Sequence, residues 1–117
     1  MLLWVAWIYA VYFLLTGIWP VVHIRSFMAV TGPKTDLWLV RTVGLLITAV
    51  GLCIAMSAAG HQIELQILVL ALASSGFLML IDVIYVVRRV IARIYLLDAA
   101  VEVVLIIAWL IAWFAKP

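Results

Sequence analysis

Residues 63–89 read IELQILVLALASSGFLMLIDVIYVVRR. From Ile67 to Val87 this run holds one charged residue, Asp82, and it closes on Arg88 and Arg89. A helix needs roughly 20 consecutive, mainly apolar residues to cross the hydrocarbon of a bilayer, and the run has that length. The arginines mark the headgroup zone at one end, and Glu64 and Gln66 mark it at the other. The segment reads as one spanning helix over residues 63–87.

The same pattern recurs on both sides of it. A short basic connection, residues 88–93, leads into another apolar run over residues 94–115. On the other side Gly60-His61-Gln62 forms a tight turn, glycine being the usual residue just past a helix end, and residues 37–58 supply a further span. Ahead of that lies Thr31-Gly32-Pro33-Lys34-Thr35-Asp36, a stretch of turn residues ending on Thr and Asp, both good helix N-caps. The first span, residues 2–24, carries no charge until Arg25 and holds Pro20 near its end, where a kink is expected. Its start, Met1-Leu2-Leu3-Trp4, lacks the leading positive charge of a signal peptide, so it is expected to remain in the mature protein.

Composition says the same of the whole chain. Of 117 residues 71% are hydrophobic and 10% charged, where soluble domains have about 45–50% and about 25%. Lipid is the only solvent that tolerates such a surface. The expected fold is all-α: one polytopic membrane domain over residues 1–117, with four transmembrane helices in an up-down-up-down bundle. Short loops rich in Lys and Arg stay in the cytoplasm. Arg25, Lys34, Arg88, Arg89 and Arg93 all fall in the connections 25–36 and 88–93, which places those loops inside and both termini outside. A bacterial inner membrane is the expected location. Trp4, Trp7, Trp38, Trp109 and Trp113 fall near span ends, as an interfacial aromatic belt requires.

Several function classes drop out. The basic loops account for the pI near 9.0 through attraction to anionic lipid, so no nucleic-acid partner is expected. Cys53 has no second cysteine to pair with in the chain and reads as a small apolar residue. His23 and His61 fall on opposite sides of the membrane in this topology and cannot jointly hold a haem or a metal. No cofactor and no metal are expected.

The informative residues are the ionisable ones inside the spans, Arg41, Asp82, Asp98 and Glu102, because each costs several kcal/mol unless paired or wetted. At a rise of about 1.5 Å per residue, Arg41 lies about 7 Å, Asp82 about 9 Å, Asp98 about 6 Å and Glu102 about 12 Å from the cytoplasmic ends of their helices. All four share the cytoplasmic half. Helical spacing collects them on seams: Tyr95, Asp98, Glu102, Leu105 and Trp109 on the last span, and Ser75, Leu78, Asp82, Tyr85 and Arg89 on the third. Arg41, Gly44, Thr48, Gly51 and Ala55 form a seam on the second, whose small residues also admit a close neighbour. Tyr9, Tyr12, Thr16, Trp19 and His23 form one on the first.

Two readings of these charges compete. In one, Arg41 pairs with Glu102 or Asp82, and Asp98 with Arg93 or Arg89, as ties between helices. In the other, Arg41, Asp82, Tyr85, Asp98, Glu102 and His23 line a ligand site, because three carboxylates meet only one arginine within the spans. The site reading implies a protein that binds or transports a small cationic or amphipathic ligand, or protons. The tie reading implies an accessory or scaffold subunit of a larger membrane complex. A membrane enzyme acting on a lipid-like substrate ranks third, since no catalytic motif of defined spacing is present. Membrane lipids are expected partners in every case, and a homodimer would suit a bundle this thin. In span number the chain is similar to the small multidrug exporters, but their essential glutamate stands in the first span, where this chain has no acid.

Overall fold

The computed structural model describes residues 1–115 and is all-helical over them. Its helices are α1 (Leu2–Val22), α2 (Ile24–Thr31), α3 (Leu37–Ala59), α4 (Leu65–Val87) and α5 (Tyr95–Ala115). Four of them, α1, α3, α4 and α5, are long and apolar enough to cross a membrane. Helices α3, α4 and α5 begin and end within two residues of the expected spans 37–58, 63–87 and 94–115.

The first span also ends within two residues of its expected bounds, 2–24, but the connection after it departs from expectation. α1 stops at Val22, His23 breaks the helix with φ −143° and ψ 77°, and the eight-residue α2 follows where a polar loop was expected. The break is stabilised by side chains. His23 Nδ1 accepts the Ser26 backbone N–H at 3.2 Å, the Ser26 hydroxyl donates to the His23 carbonyl at 3.0 Å, and Trp19 Nε1 donates to Ser26 Oγ at 2.8 Å. His23 is therefore a helix cap. Turn chemistry begins only at Gly32, whose φ of +100° suits glycine and ends α2.

One cap expectation is also revised, while the turn at Gly60-His61-Gln62 forms as expected. Asp36 precedes α3, but its side chain makes no cap bond; its carbonyl accepts from Leu39 and Val40 instead. After α3, Gly60 keeps φ −86° and the left-handed position passes to His61, φ 54°. Bonds from His61 N–H to the Ala58 carbonyl at 3.2 Å and from Gln62 N–H to the Ser57 carbonyl at 3.0 Å close that turn.

Helix packing is uneven. α1 lies most extensively on α3 and α4 on α5, whereas α3 and α4 touch along a short stretch. Glycine explains the first pairing. A Cβ at Gly44 would stand 2.5 Å from the Gly17 carbonyl oxygen, and one at Gly17 would stand 2.7 Å from that of Gly44, so the two backbones meet directly. Gly51 lets Leu14 approach about two turns further along α3, where a Cβ would lie 3.1 Å from the Leu14 backbone nitrogen.

The apolar core occupies one half of the bundle. Val5, Ala6, Tyr9, Ala10 and Phe13 of α1 meet Ile54 and Ala58 of α3, Leu68 and Ala71 of α4, and Leu105, Trp109 and Ala112 of α5. Tyr9 stacks on Phe13 at 4.3 Å between centroids and meets Trp109 edge-on at 5.9 Å. The Tyr9 hydroxyl is satisfied, donating to the Ala71 carbonyl at 2.8 Å and accepting from Ser75 at 3.0 Å.

Candidate functional site

Beyond this core the bundle is hollow. A half-open cavity of about 580 Å³ is lined by the C-terminal halves of α1 and α4, the N-terminal halves of α3 and α5, and α2 with Lys34. Three acids reach it: Asp82 from α4, and Asp98 and Glu102 from successive turns of α5. Tyr12, Thr16 and Trp19 join them from α1. The rest of the wall is largely apolar, with Val43, Ile47, Leu78, Ile91 and Val101 among its residues.

The acids differ in what they are given. Asp98 is half-buried and accepts a very short hydrogen bond from the Tyr12 hydroxyl. Asp82, 5% exposed, stands next to Asp98 and leaves its Oδ2 without a donor. Glu102 is fully buried, and neither Oε1 nor Oε2 has a hydrogen-bond partner. Ser75 stands beside Glu102, but its proton goes to Tyr9, whose own proton goes to Ala71. Both hydroxyls near Glu102 are thus already committed.

The cations stand elsewhere. Lys34 is the one cationic side chain among the described residues that lines the cavity. Its ammonium donates to the Thr31 carbonyl at 3.3 Å, Thr31 Oγ1 at 3.1 Å and the Gly32 carbonyl at 3.2 Å. These three acceptors match its three protons. It also sits over the rings of Phe27 and Tyr95, at 5.5 and 5.1 Å from their centroids. Lys34 thus braces α2 against the start of α5.

Of the six residues singled out by sequence, the structure brings Asp82, Asp98 and Glu102 together and keeps the other three apart. Arg41 is exposed on α3 and does not line the cavity. At about 100° per residue, Arg41 and Thr48 fall on one flank of Gly44 while Val40, Val43 and Ile47 fall on the other. The cavity takes the second flank. Since both Glu102 oxygens lack a partner, Arg41 does not tie that residue. Tyr85 is half-buried outside the cavity, and its carbonyl accepts the Val90 N–H at 2.8 Å where the chain turns after α4. His23 is exposed and caps α2.

Sequence reasoning passed over Lys34 as a cavity residue, and it placed Tyr12 on the inner seam without seeing that it would bond Asp98. Tyr12 was findable by its position on the seam. Lys34 was hidden because its placement depends on the unexpected α2.

Chemically the site offers acceptors and apolar contact. Among the described residues no group of three His, Cys, Asp or Glu side chains is arranged to hold a metal ion. No family model, no curated protein and no solved structure matches the chain.

Proposed function

We propose that this protein binds a small cationic, amphipathic ligand inside the membrane, in the acidic cavity between α1, α3, α4 and α5. One observation carries the reading: a fully buried glutamate, Glu102, faces the cavity with both carboxylate oxygens unpartnered. A carboxylate held in low dielectric without a counter-charge is costly, and a bound cation removes that cost. A proton would also do so, but it needs no cavity. A volume of about 580 Å³ with apolar walls lies within the range of small-molecule sites, which favours a cation with apolar bulk.

In this proposal the helices run up-down-up-down in a bacterial inner membrane, with loops 25–36 and 88–93 in the cytoplasm and both termini outside. The excess of Lys and Arg in those loops supports that orientation. The cavity then opens in the cytoplasmic half. Alkaline phosphatase fused to the C-terminus is expected to be active outside the cytoplasm, and activity of a cytoplasm-only reporter there would reverse the topology.

Binding is tested with two probes sharing one tail, octylammonium and octanoate, added to the protein in zwitterionic nanodiscs. A ligand that binds only the folded state raises the melting temperature, with a stabilisation that grows as ln(1 + L/Kd) for a free ligand concentration L. Octylammonium is expected to raise it in the natural protein and not in Glu102→Gln, and octanoate to do so in neither. Equal shifts from both probes, or a shift retained in Glu102→Gln, would overturn the reading.

A further inference from the structure

Resting on that reading, the geometry points to a narrower ligand class: we infer that the site selects a primary ammonium carried on a single apolar chain, entering sideways from the membrane with its headgroup first.

The headgroup follows from a count of acceptors. Two residues of the cavity wall, Asp82 and Glu102, 5% and 0% exposed, hold three buried oxygens with no donor: Asp82 Oδ2, Glu102 Oε1 and Glu102 Oε2. A primary ammonium carries three N–H donors. Its donors equal the unpartnered oxygens in number, and it brings the positive charge that two buried carboxylates lack. A tertiary ammonium brings one donor, and a quaternary ammonium brings charge but none. Buried acceptors left without donors are expensive, so a site of this kind discriminates strongly against analogues that lack the N–H groups. Asp98 does not enter the count because Tyr12 already donates to it. Lys34 cannot serve as the donor because its three protons are held by Thr31 and Gly32.

The tail and the route follow from the exposed part of the lining. Four cavity-lining residues are both apolar and exposed: Leu39 at 43% and Val43 at 48% on α3, Ile81 at 48% on α4, and Leu97 at 63% on α5. These helices cross the membrane, so side chains exposed at this depth face acyl chains rather than water. Leu39 and Val43 belong to α3 and Ile81 to α4, two helices in sparse contact with each other. A chain lying across these side chains keeps its apolar length in lipid-like surroundings while the ammonium reaches the acids.

The test is competition against labelled octylammonium, measured by equilibrium dialysis with nanodisc-embedded protein and corrected with empty nanodiscs. The competitors are N,N-dimethyloctylammonium, octyltrimethylammonium and short, water-soluble ethylammonium. At least ten-fold weaker competition is expected from the trimethyl compound, with the dimethyl compound between. Ethylammonium is expected to compete at least ten-fold more weakly than unlabelled octylammonium. If octylammonium binds and all three octyl compounds compete equally, the cation site stands and the primary-ammonium inference falls. If ethylammonium competes as well as octylammonium, the membrane-borne tail falls. If octylammonium does not bind, both this inference and the reading beneath it fail. The ligand series uses the natural protein, so it is independent of whether any variant folds.

Discussion

The same helices build two halves that treat their buried side-chain oxygens differently. In the core half, the Tyr9 hydroxyl is bonded on both sides by Ala71 and Ser75 while its ring is packed by Phe13 and Trp109, whose own Nε1 has no partner. In the cavity half, Glu102 is equally buried and its carboxylate is bonded by nothing. One half closes around its polar group and the other leaves space beside it. The difference originates in backbone spacing. Gly17 and Gly44 draw α3 against α1, which leaves α3 with few contacts to α4 and opens the gap that the acids line.

The most damaging change should therefore be at that crossing. Gly44→Ile places a branched side chain where even a Cβ would stand 2.5 Å from a backbone oxygen and 3.0 Å from Pro20 Cγ. Neither neighbour can rotate away. Overpacking of this kind costs about 3 kcal/mol or more at its upper end. The expected result is a large loss of folded protein in denaturant titration in detergent, with octylammonium binding lost as well. Near-normal stability would mean that the helices re-space freely, and the contrast between the halves would lose its cause.

The next effect has the opposite sign. Glu102→Leu removes an uncompensated buried carboxylate and substitutes apolar volume, so stability should rise by about 1–3 kcal/mol. A rise in the midpoint of the same titration, together with loss of octylammonium binding, separates a binding residue from a structural tie. A drop in stability would show that Glu102 holds a partner in the membrane, and would make the two halves alike.

A smaller change tests the boundary between them. Tyr9→Phe removes the hydroxyl that holds the Ser75 proton, at a cost of about 1–2 kcal/mol for the lost buried bonds. It also frees Ser75 to donate to Glu102, which stands beside it. Octylammonium affinity should therefore fall a few-fold in Tyr9→Phe, measured by dialysis, and should not fall in Tyr9→Phe combined with Ser75→Ala. Equal affinity in the single variant and the natural protein would show that the Ser75 proton does not govern Glu102.

The halves also differ in how far the sequence reveals them. Long apolar runs separated by Gly60, the Gly32-Pro33 turn and arginine pairs give the spans directly, because the cost of an unpaired backbone in lipid leaves few alternatives. The stripe Gly44, Thr48, Gly51 announces a close neighbour, and Asp98 and Glu102 share a face by their spacing of four. What the sequence leaves open is the rotation of each helix about its axis. A difference of about 100° decides that Val40 and Ile47 face the cavity and Arg41 faces out. Charge arithmetic alone pairs Arg41 with the acids, since it contains no such angle. α2 was obscured for a different reason. Residues 24–31 hold one charge and no breaker, yet they follow a span already long enough, so Arg25 reads as the start of a loop. The His23 and Ser26 pair, three apart, was the available sign of a new helix start.

The smallest predicted effect concerns that helix, which forms the end wall of the cavity half. α2 makes its main helix contact with α1, and that contact is small; beyond α2, Lys34 reaches α5 over Tyr95. A half-buried cation–π contact is worth about 1–2 kcal/mol, small against the stability of the whole bundle but enough to govern a local opening. Lys34→Met keeps the aliphatic reach, removes the charge and frees the Thr31 and Gly32 carbonyls. Amide exchange is expected to accelerate several-fold across residues 24–32 and to stay unchanged in the core half, while the melting temperature moves by a few degrees at most. Lys34→Arg should restore slow exchange, since a guanidinium stacks on Tyr95 and still donates to the carbonyls. If Lys34→Met exchanges like the natural protein, the wall is held by Phe27 packing on Trp19, whose rings meet edge-on at 5.3 Å, and the cavity half is as firmly closed at its end as the core half is throughout.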